Sequence, residues 1–204
     1  MKSYLLAMYS VLGLDLAGSE RRKTGYAYWE GLSLRVGVVY TDREVLELSE
    51  GFSLIMIDAP LSIPAGRSSL EERGPHLREC DLLLRKHGHR FFPVTLGPMR
   101  MLTKRAMSLA KVMKERGAEV FETFPGATYD LLGLDRKDRS LILNFYMKLP
   151  LGLEKRSYSQ DELDAVACWL AGVCHLMGKS LVFSGKDGQI VVASKECVEG
   201  LDKR

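Results

Sequence analysis

Apolar residues fall into short, nearly unbroken runs, and each run ends at small or turn-forming residues. The segments 10–19 (SVLGLDLAGS), 53–60 (SLIMIDAP) and 118–126 (AEVFETFPG) follow this pattern and predict buried strands. The segments TGYAYWEG and LSLRVGVVY are rich in Val, Tyr and Trp, and they predict two further strands joined by a tight turn near Gly31. The segment QIVVA near the carboxyl end predicts one more strand, at an edge of the sheet.

Helical periodicity and capping residues mark the other segments. Thr41 with Glu44 three residues later is a capping-box pattern, and it predicts a short helix to about residue 50. Ser159 with Glu162 repeats that pattern at the start of a long amphipathic helix that Gly178 ends. Shorter stretches with helical character cover 75–86, 100–116, 127–132 and 139–147.

The order of elements predicts an α/β fold with a mixed sheet. The first three strands follow one another closely, which favours an antiparallel meander. The later strands are separated by helical segments, which favours parallel pairing through crossovers. We therefore expect a single domain over 1–204, with a helical insertion at 61–117 between the fourth and fifth strands.

Composition adds a charge asymmetry to this picture. The 204 residues are 46% hydrophobic and 27% charged, which excludes a disordered chain and suits one globular core. The formal net charge is only +3. The insertion, however, holds 12 Lys/Arg and 5 Asp/Glu, a charge of +7, so the rest of the chain carries −4. This split predicts that the insertion faces an anionic partner.

Cysteines and apolar runs bear on the cellular compartment. The four cysteines contain no CxxC pair, which favours small buried thiols in a reducing compartment. No apolar run approaches the roughly 20 residues of a membrane span. We expect a cytoplasmic protein without a membrane partner.

Three of the predicted buried strands each carry one carboxylate near the carboxyl end. These residues are Asp15, Asp58 and Glu122. Ligands of open α/β sheets bind at that end, and a buried carboxylate is costly unless it is paired or bound to a metal. Three such acids together favour hard divalent cations, Mg²⁺ or Mn²⁺, which prefer oxygen ligands.

The capped helix adds two more candidate acids, Asp161 and Asp164, which share one helix face. Asp161 lies in the first turn, where the helix dipole and the free N–H groups already explain an acidic residue. Asp164 lies beyond that turn, so capping does not explain it. We favour Asp164 as the metal ligand and keep Asp161 as the alternative.

The segments VLGLDLAGS, IDAPLSIP, RECDLLLRKHG, FETFPG and DELDAVACWLAG occur here in this order. In that order they resemble a predicted-nuclease family of ribonuclease H-like fold, catalogued as domain of unknown function 429. The resemblance implies a mixed five-stranded sheet and two metal ions held by acids. It assigns these roles to Asp15, Asp58 and Asp164, with Asp161 as an alternative and Glu122 as a further catalytic acid. It implies a nuclease or phosphodiesterase and leaves a homodimer open.

The basic insertion would then face the substrate, a nucleic acid or a nucleotide. Arg78, Asp81 and Arg85 have the spacing of one helix face, and Arg100 and Lys104 follow. The alternative is a solvated surface on which the two arginines of that face pair with Asp81. The histidines of the insertion lack the spacing of a closed zinc site. The pair at 91–92 (FF) is more typical of a core than of a base-stacking platform.

Two other functional classes remain open at this point. DLAGS after a strand is similar to the first phosphate loop of sugar kinases and actin-like ATPases, with Ser19 and Lys23 as phosphate contacts. Against that reading, Pro60 stands where a second loop needs a backbone N–H. The remaining alternative is a nucleic-acid-binding protein without catalytic activity.

Overall fold

The computed structural model describes residues 8–203, so the ends of the predicted domain, 1–7 and 204, lie outside the described residues. The described part contains seven strands and seven helices. In chain order they are β1 (Val11–Asp15), β2 (Thr24–Glu30), β3 (Ser33–Val39), α1 (Asp42–Leu48), β4 (Leu54–Ile57), α2 (Glu79–Lys86), α3 (Gly97–Glu115), β5 (Glu119–Glu122), α4 (Pro125–Leu132), α5 (Arg139–Tyr146), α6 (Gln160–Leu176), β6 (Leu181–Gly185), β7 (Gly188–Val192) and α7 (Lys195–Lys203).

All seven strands form one mixed sheet in the order β3-β2-β1-β4-β5-β7-β6. The first three strands pair antiparallel, whereas β4 runs parallel to β1 and β5 runs parallel to β4. The first five strands therefore form a mixed sheet, as the sequence predicts. The insertion with α2 and α3 lies between β4 and β5, also as predicted.

The expected number of five strands is wrong, because a hairpin of β6 and β7 extends the sheet beyond β5. The QIVVA segment forms most of β7, which lies between β5 and β6 and is not an edge strand. The antiparallel register pairs Phe183 with Ile190, and Ile190 also pairs with Glu122 of β5. Only one pair of residues joins β7 to β5, and so short a pairing cannot be predicted from a local sequence pattern.

The capping boxes confirm the predicted starts of α1 and α6. The Thr41 hydroxyl accepts a hydrogen bond from the Glu44 amide, and Ser159 does the same for Glu162. The boundaries of the insertion helices differ from expectation. Helix α2 begins at Glu79 rather than at 75, with Arg78 as its N-cap, and α3 begins at Gly97 rather than at 100.

Apolar side chains fill both faces of the sheet. One face packs against α6, with Val11, Met56 and Trp169 in its core. The other face packs against α1 and α3, with Ile55 and Leu109 in its core. Successive strand residues alternate between the two faces, so the face of a strand-end acid follows from its register.

The expectation of free buried thiols is wrong for two of the four cysteines. Cys174 of α6 and Cys197 of α7 form a disulfide with their Cα atoms 5.9 Å apart. Cys80 and Cys168 are free and buried, as expected. The two bonded residues meet because α7 packs on α6, a contact that spans 23 residues of sequence and has no local motif.

Within residues 8–203, no helix combines the length and the apolar character that crossing a membrane requires.

Candidate active site

Asp15 and Asp58 lie side by side at the carboxyl ends of β1 and β4. Leu14 pairs with Ile57 in the parallel register, and the Asp58 amide donates to the Leu14 carbonyl at 2.8 Å. The parallel hydrogen bonding between β1 and β4 thus continues one residue past the end of β4, and it places Asp15 and Asp58 next to each other. Their side chains point to the α6 face, because Asp15 is two residues after Gly13, which lies against α6.

Two glycines bring α6 unusually close to the sheet. A Cβ on Gly13 would lie 2.4 Å from the Trp169 amide nitrogen, and a Cβ on Gly25 would lie 1.9 Å from the Asp161 carbonyl oxygen. Both contacts are with helix backbone, so only glycine fits at either position. This approach sets the first turns of α6, with Asp161 and Asp164, beside the strand-end aspartates.

Burial and the charges of neighbouring acids raise the pKa of both strand-end aspartates. Burial raises the pKa of Asp15 well above its usual value, and the charges of Asp58, Asp164 and Asp161 raise it further, whereas Arg22 lowers it. The pKa of Asp58 is raised by burial and by the charges of Asp164 and Glu122, whereas Arg136 lowers it. In neither aspartate does a hydrogen bond to the carboxylate lower the pKa. The described residues therefore stabilise the charged form of either carboxylate only weakly.

Asp164 is held in place by two hydrogen bonds to the same oxygen. The Tyr129 hydroxyl and the Gln160 amide both donate to Oδ1, each at 2.7 Å. Tyr129 also receives a 3.4 Å hydrogen bond from the Tyr146 hydroxyl. Burial raises the pKa of Asp164 to about 6 despite these donors. The second oxygen, Oδ2, accepts no hydrogen bond from the described residues.

Glu122 is placed differently from the aspartates. It is level with Ile57, one step before Asp58, so its side chain projects from the opposite face of the sheet. Both of its oxygens accept from Arg78, at 2.6 Å each, and Oε2 also accepts from the Leu61 amide at 3.0 Å. Glu122 nevertheless lines the same cavity as Asp15 and Asp58, and it differs from the two aspartates in that its carboxylate is paired with a cation.

Arg78 and Asp81 line the cavity that contains Asp15 and Asp58, but both side chains are buried and paired within the protein. Arg78 is 1% exposed and Asp81 is 2% exposed. The five N–H groups of the Arg78 guanidinium are directed at both oxygens of Asp81, both oxygens of Glu122 and the Ser62 hydroxyl. The pairing with Asp81 that the sequence left open is therefore present, but it is buried rather than solvated. The prediction that Arg78, Asp81 and Arg85 share one helix face is also wrong, because Arg78 precedes α2.

The other three predicted substrate contacts lie away from the aspartates. Arg85 is exposed on α2 and lines a separate cavity with His89. Lys104 forms an exposed ion pair with Glu71, and the charge of Arg100 lowers the pKa of the same glutamate. None of the three lines the cavity that contains Asp15 and Asp58.

Two cavities open beside the aspartates, and Arg136 lines both of them. The first has a volume of about 270 Å³ and includes Asp15 and Asp58. The second has a volume of about 540 Å³ and includes Asp58 and Asp164, together with Lys137 and Arg139. The charge of Arg136 lowers the pKa of both aspartates of the second cavity. The acid cluster is thus bordered by cations from the connection between α4 and α5.

The sequence interpretation missed this connection. The run DRKDRS at 135–140 looks like a solvated loop, and its only distinctive feature is three cations within four residues, 136–139. Tyr129 and Gln160 were missed for another reason. A tyrosine in a short apolar helix and a glutamine in a first turn have ordinary structural explanations until Asp164 is seen between them.

The expectation that both phenylalanines of the FF pair belong to the core is wrong for Phe92. Phe91 is half-buried and packs beside the apolar cluster of Cys80, Leu84 and Phe183. Phe92 is 69% exposed and lines the cavity that contains the strand-end aspartates. Adjacent residues of an extended segment point to opposite sides, so only one of the two can join the cluster.

The donor set fits a hard divalent cation in type and charge. Asp15, Asp58 and Oδ2 of Asp164 offer carboxylate oxygens, and burial raises the pKa of all three groups. In the part of the chain that the structure describes, no group of three or more acid, histidine or cysteine side chains is arranged so that it could hold a metal ion. The fit is therefore one of donor chemistry and not of a closed coordination shell.

Comparisons with known proteins give one family and two similar solved structures. No curated protein sequence matches the chain. Among solved structures, it is similar to T. thermophilus RuvC in complex with a Holliday junction substrate, with 16% identity, 83% of this chain and 96% of that chain covered, and a TM-score of 0.48. A second Thermus thermophilus RuvC structure gives 17% identity, the same coverage and a TM-score of 0.46. The model of a family described as "Protein of unknown function (DUF429)" matches residues 13–188, most of the chain, and the protein therefore belongs to that family.

Proposed function

We propose that the protein is a divalent-metal-dependent nuclease or phosphodiesterase. The observation that carries the proposal is the pair of adjacent carboxylates, Asp15 and Asp58, at the carboxyl edge of the sheet, neither of which forms an ion pair with a residue of 8–203. A buried acid pair destabilises a fold, so its presence is best explained by a bound cation. Mg²⁺ or Mn²⁺ suits the oxygen donors.

Asp15, Asp58 and Asp164 would hold the ions, with Asp161 as the alternative acid of α6. When bound at such a site, a pair of divalent cations lowers the pKa of an attacking water and stabilises the leaving oxygen of a phosphodiester. Tyr129 and Gln160 fix the Asp164 carboxylate through Oδ1 and leave Oδ2 available. Residues behind metal ligands typically contribute in this way, by orienting the ligand.

The chain's own cations would hold the substrate's phosphates. Arg136 directs three N–H groups at Asp130 and the Arg90 carbonyl, which leaves two of its five without an acceptor among residues 8–203. Lys137 and Arg139 are exposed on the same rim. On the other side, Arg22 approaches Asp15 closely enough to lower its pKa. Cations on both sides of the acids suit a polyanion that crosses the site.

The decisive experiment is a hydrolysis assay of two variants, Asp15→Asn and Asp58→Asn, with single-stranded, duplex and junction nucleic acids and Mg²⁺ or Mn²⁺. We expect each variant to lose activity by about 100-fold or more, because even residues behind metal ligands cost about 10- to 100-fold when replaced. The matched control is Glu119→Gln, an exposed acid on β5 that should retain full activity. Undiminished hydrolysis in both aspartate variants would refute the proposal.

A further inference from the structure

Aromatic side chains line the cavity beside the strand-end aspartates, and one of them, Phe92, is exposed. Phe92 belongs to the connection between α2 and α3, which has no regular secondary structure at 89–93. Its side chain is 69% exposed, the largest exposed fraction among the large apolar side chains of the insertion. It is also the one of these exposed side chains that lines the cavity of Asp15 and Asp58.

The cavity around Phe92 is lined by both apolar and charged side chains. Leu84, Val94, Met99 and Leu102 contribute apolar groups, and the charged groups come from Asp15, Asp58, Arg78, Asp81, Arg90, Glu122 and Arg136. The volume of about 270 Å³ lies just below the range of about 300–1,000 Å³ that holds drug-sized ligands. The cavity therefore suits a single flat ring system whose attached phosphate contacts the arginines.

The segment that carries Phe92 is fixed at two points. The ring of His89 hydrogen-bonds to Asp130 through Nδ1 at 2.7 Å. Arg136, which also bonds to Asp130, donates to the Arg90 carbonyl at 2.8 Å. One acid and one arginine of the α4–α5 region thus hold the backbone on the amino side of Phe92. A side chain presented from a held backbone loses less conformational entropy on binding.

We propose that this cavity binds the base of an unpaired nucleotide next to the scissile phosphate, with the ring of Phe92 as the stacking partner. The proposal rests on the proposed function and specifies its substrate as single-stranded or locally unpaired nucleic acid. A paired base in a duplex is stacked on both sides and cannot reach such a cavity unless it leaves the stack. Base–aromatic stacking tolerates any sequence, because every base has a π-face.

The test is a binding titration by fluorescence anisotropy with a single-stranded DNA, an RNA of the same sequence and the matched duplex. Ca²⁺ replaces Mg²⁺ so that binding is read without relying on cleavage. We expect Phe92→Ala to weaken single-strand binding by between about 5-fold and 100-fold and to change duplex binding by less than about 2-fold. Phe92→Trp should restore single-strand binding.

The matched control is Leu82→Ala, which removes another exposed apolar side chain of the insertion that does not line the cavity. It should bind all three nucleic acids as the unaltered protein does. Equal loss of single-strand and duplex binding in Phe92→Ala, no loss of either, or the same loss in Leu82→Ala would each overturn the base-binding role. Comparison of the DNA and RNA arms identifies which strand is preferred.

This experiment separates the two proposals. If Phe92→Ala selectively loses single-strand binding and no nucleic acid is hydrolysed with Mg²⁺ or Mn²⁺, the base cavity stands and the nuclease activity fails. If hydrolysis depends on Asp15 and Asp58 but single-strand binding ignores Phe92, the nuclease activity stands and the base cavity fails.

Discussion

At the scale of single residues, the acids of the site differ in whether other side chains donate hydrogen bonds to their carboxylates. The pKa values of Asp15 and Asp58 are raised by burial and by the charges of neighbouring acids. One oxygen of Asp164 accepts two hydrogen bonds, and both carboxylate oxygens of Glu122 accept hydrogen bonds from Arg78. The number of free carboxylate oxygens therefore separates the metal-ligand candidates from Glu122, which we assign to positioning.

The first prediction at this scale concerns stability without metal. The pKa of Asp164 is 3.8 in its unperturbed state and about 6 in the fold, so the folded state binds this proton more tightly. The resulting stabilisation is complete below the unfolded pKa and is lost as the pH rises through about 6. In EDTA, urea denaturation should show the free energy of unfolding decreasing as the pH rises from about 4 to 7.

Asp164→Asn removes that titration and should flatten the pH profile over the same range. At pH 7 in EDTA it should raise the free energy of unfolding by on the order of 1–3 kcal/mol, the equivalent of the pKa shift. Addition of Mg²⁺ or Mn²⁺ should stabilise the unaltered protein and should stabilise the variant less. If the free energy of unfolding depends on pH in the same way in the unaltered protein and in Asp164→Asn, Asp164 is not the titrating group.

A second prediction at this scale concerns Tyr129. Its hydroxyl orients Asp164, so Tyr129→Phe should weaken Mn²⁺ affinity about 10-fold, measured by calorimetry. The control is Tyr158→Phe, because the Tyr158 hydroxyl donates to the Glu154 carbonyl. Equal Mn²⁺ affinity in both variants would show that Tyr129 does not position a ligand.

At the scale of elements, two contacts decide where the acids and the insertion lie. Helix α6 lies directly on β1 and β2, because Gly13 and Gly25 have no side chains to hold it away. The insertion is joined to β5 by the buried pair of Arg78 and Glu122. Arg78 also caps α2, so one guanidinium connects the start of that helix to the edge of the sheet.

The prediction at this scale is that Glu122→Gln destabilises the fold. Loss of one partner leaves the buried Arg78 charge only partly compensated, and such a loss costs about 3–5 kcal/mol. Urea denaturation measures the change. Glu119→Gln, three residues earlier on the same strand but exposed, should stay within about 0.5 kcal/mol of the unaltered protein. If Glu122→Gln and Glu119→Gln change the free energy of unfolding by similar amounts, the pair of Arg78 and Glu122 does not stabilise the fold.

At the scale of the whole molecule, the charge of the insertion is largely used within the fold. Arg67 donates to the backbone carbonyls of its own loop, and Arg105 donates to Asp42 and to the carbonyls of Ala17 and Tyr40. Arg78 is buried in its ion pairs. The insertion's formal +7 therefore overstates the charge it can offer a polyanion, and the cations of 136–139 lie nearer to the acids.

The prediction at this scale concerns the salt dependence of nucleic-acid binding. Each phosphate contact contributes about 0.7–0.9 to the slope of log affinity against log salt, so Arg139→Ala should reduce that slope by about 1. Lys137→Ala should do the same. The control is Lys111→Ala on α3, whose side chain pairs with Glu115 and lines neither cavity. An unchanged slope in the first two variants would exclude this rim as the phosphate-binding surface.

The sequence was informative wherever the governing physics is local. Alternating or unbroken apolar runs located β1 to β5, and the two capping boxes located the starts of α1 and α6. It also predicted acids at the carboxyl ends of β1 and β4, and the register sets Asp15 and Asp58 side by side. Strand direction and residue order suffice for that result, because neighbouring parallel strands end at the same edge.

Tertiary structure alone decided everything that depends on which distant residues meet. It paired Cys174 with Cys197, joined the β6–β7 hairpin to β5 and buried Arg78 against Glu122. It also left Phe92 exposed beside the aspartates while its neighbour joined the apolar cluster. Periodicity and capping energies act within a few residues, whereas ion pairing, disulfide bonding and exposure depend on packing between elements far apart in the chain.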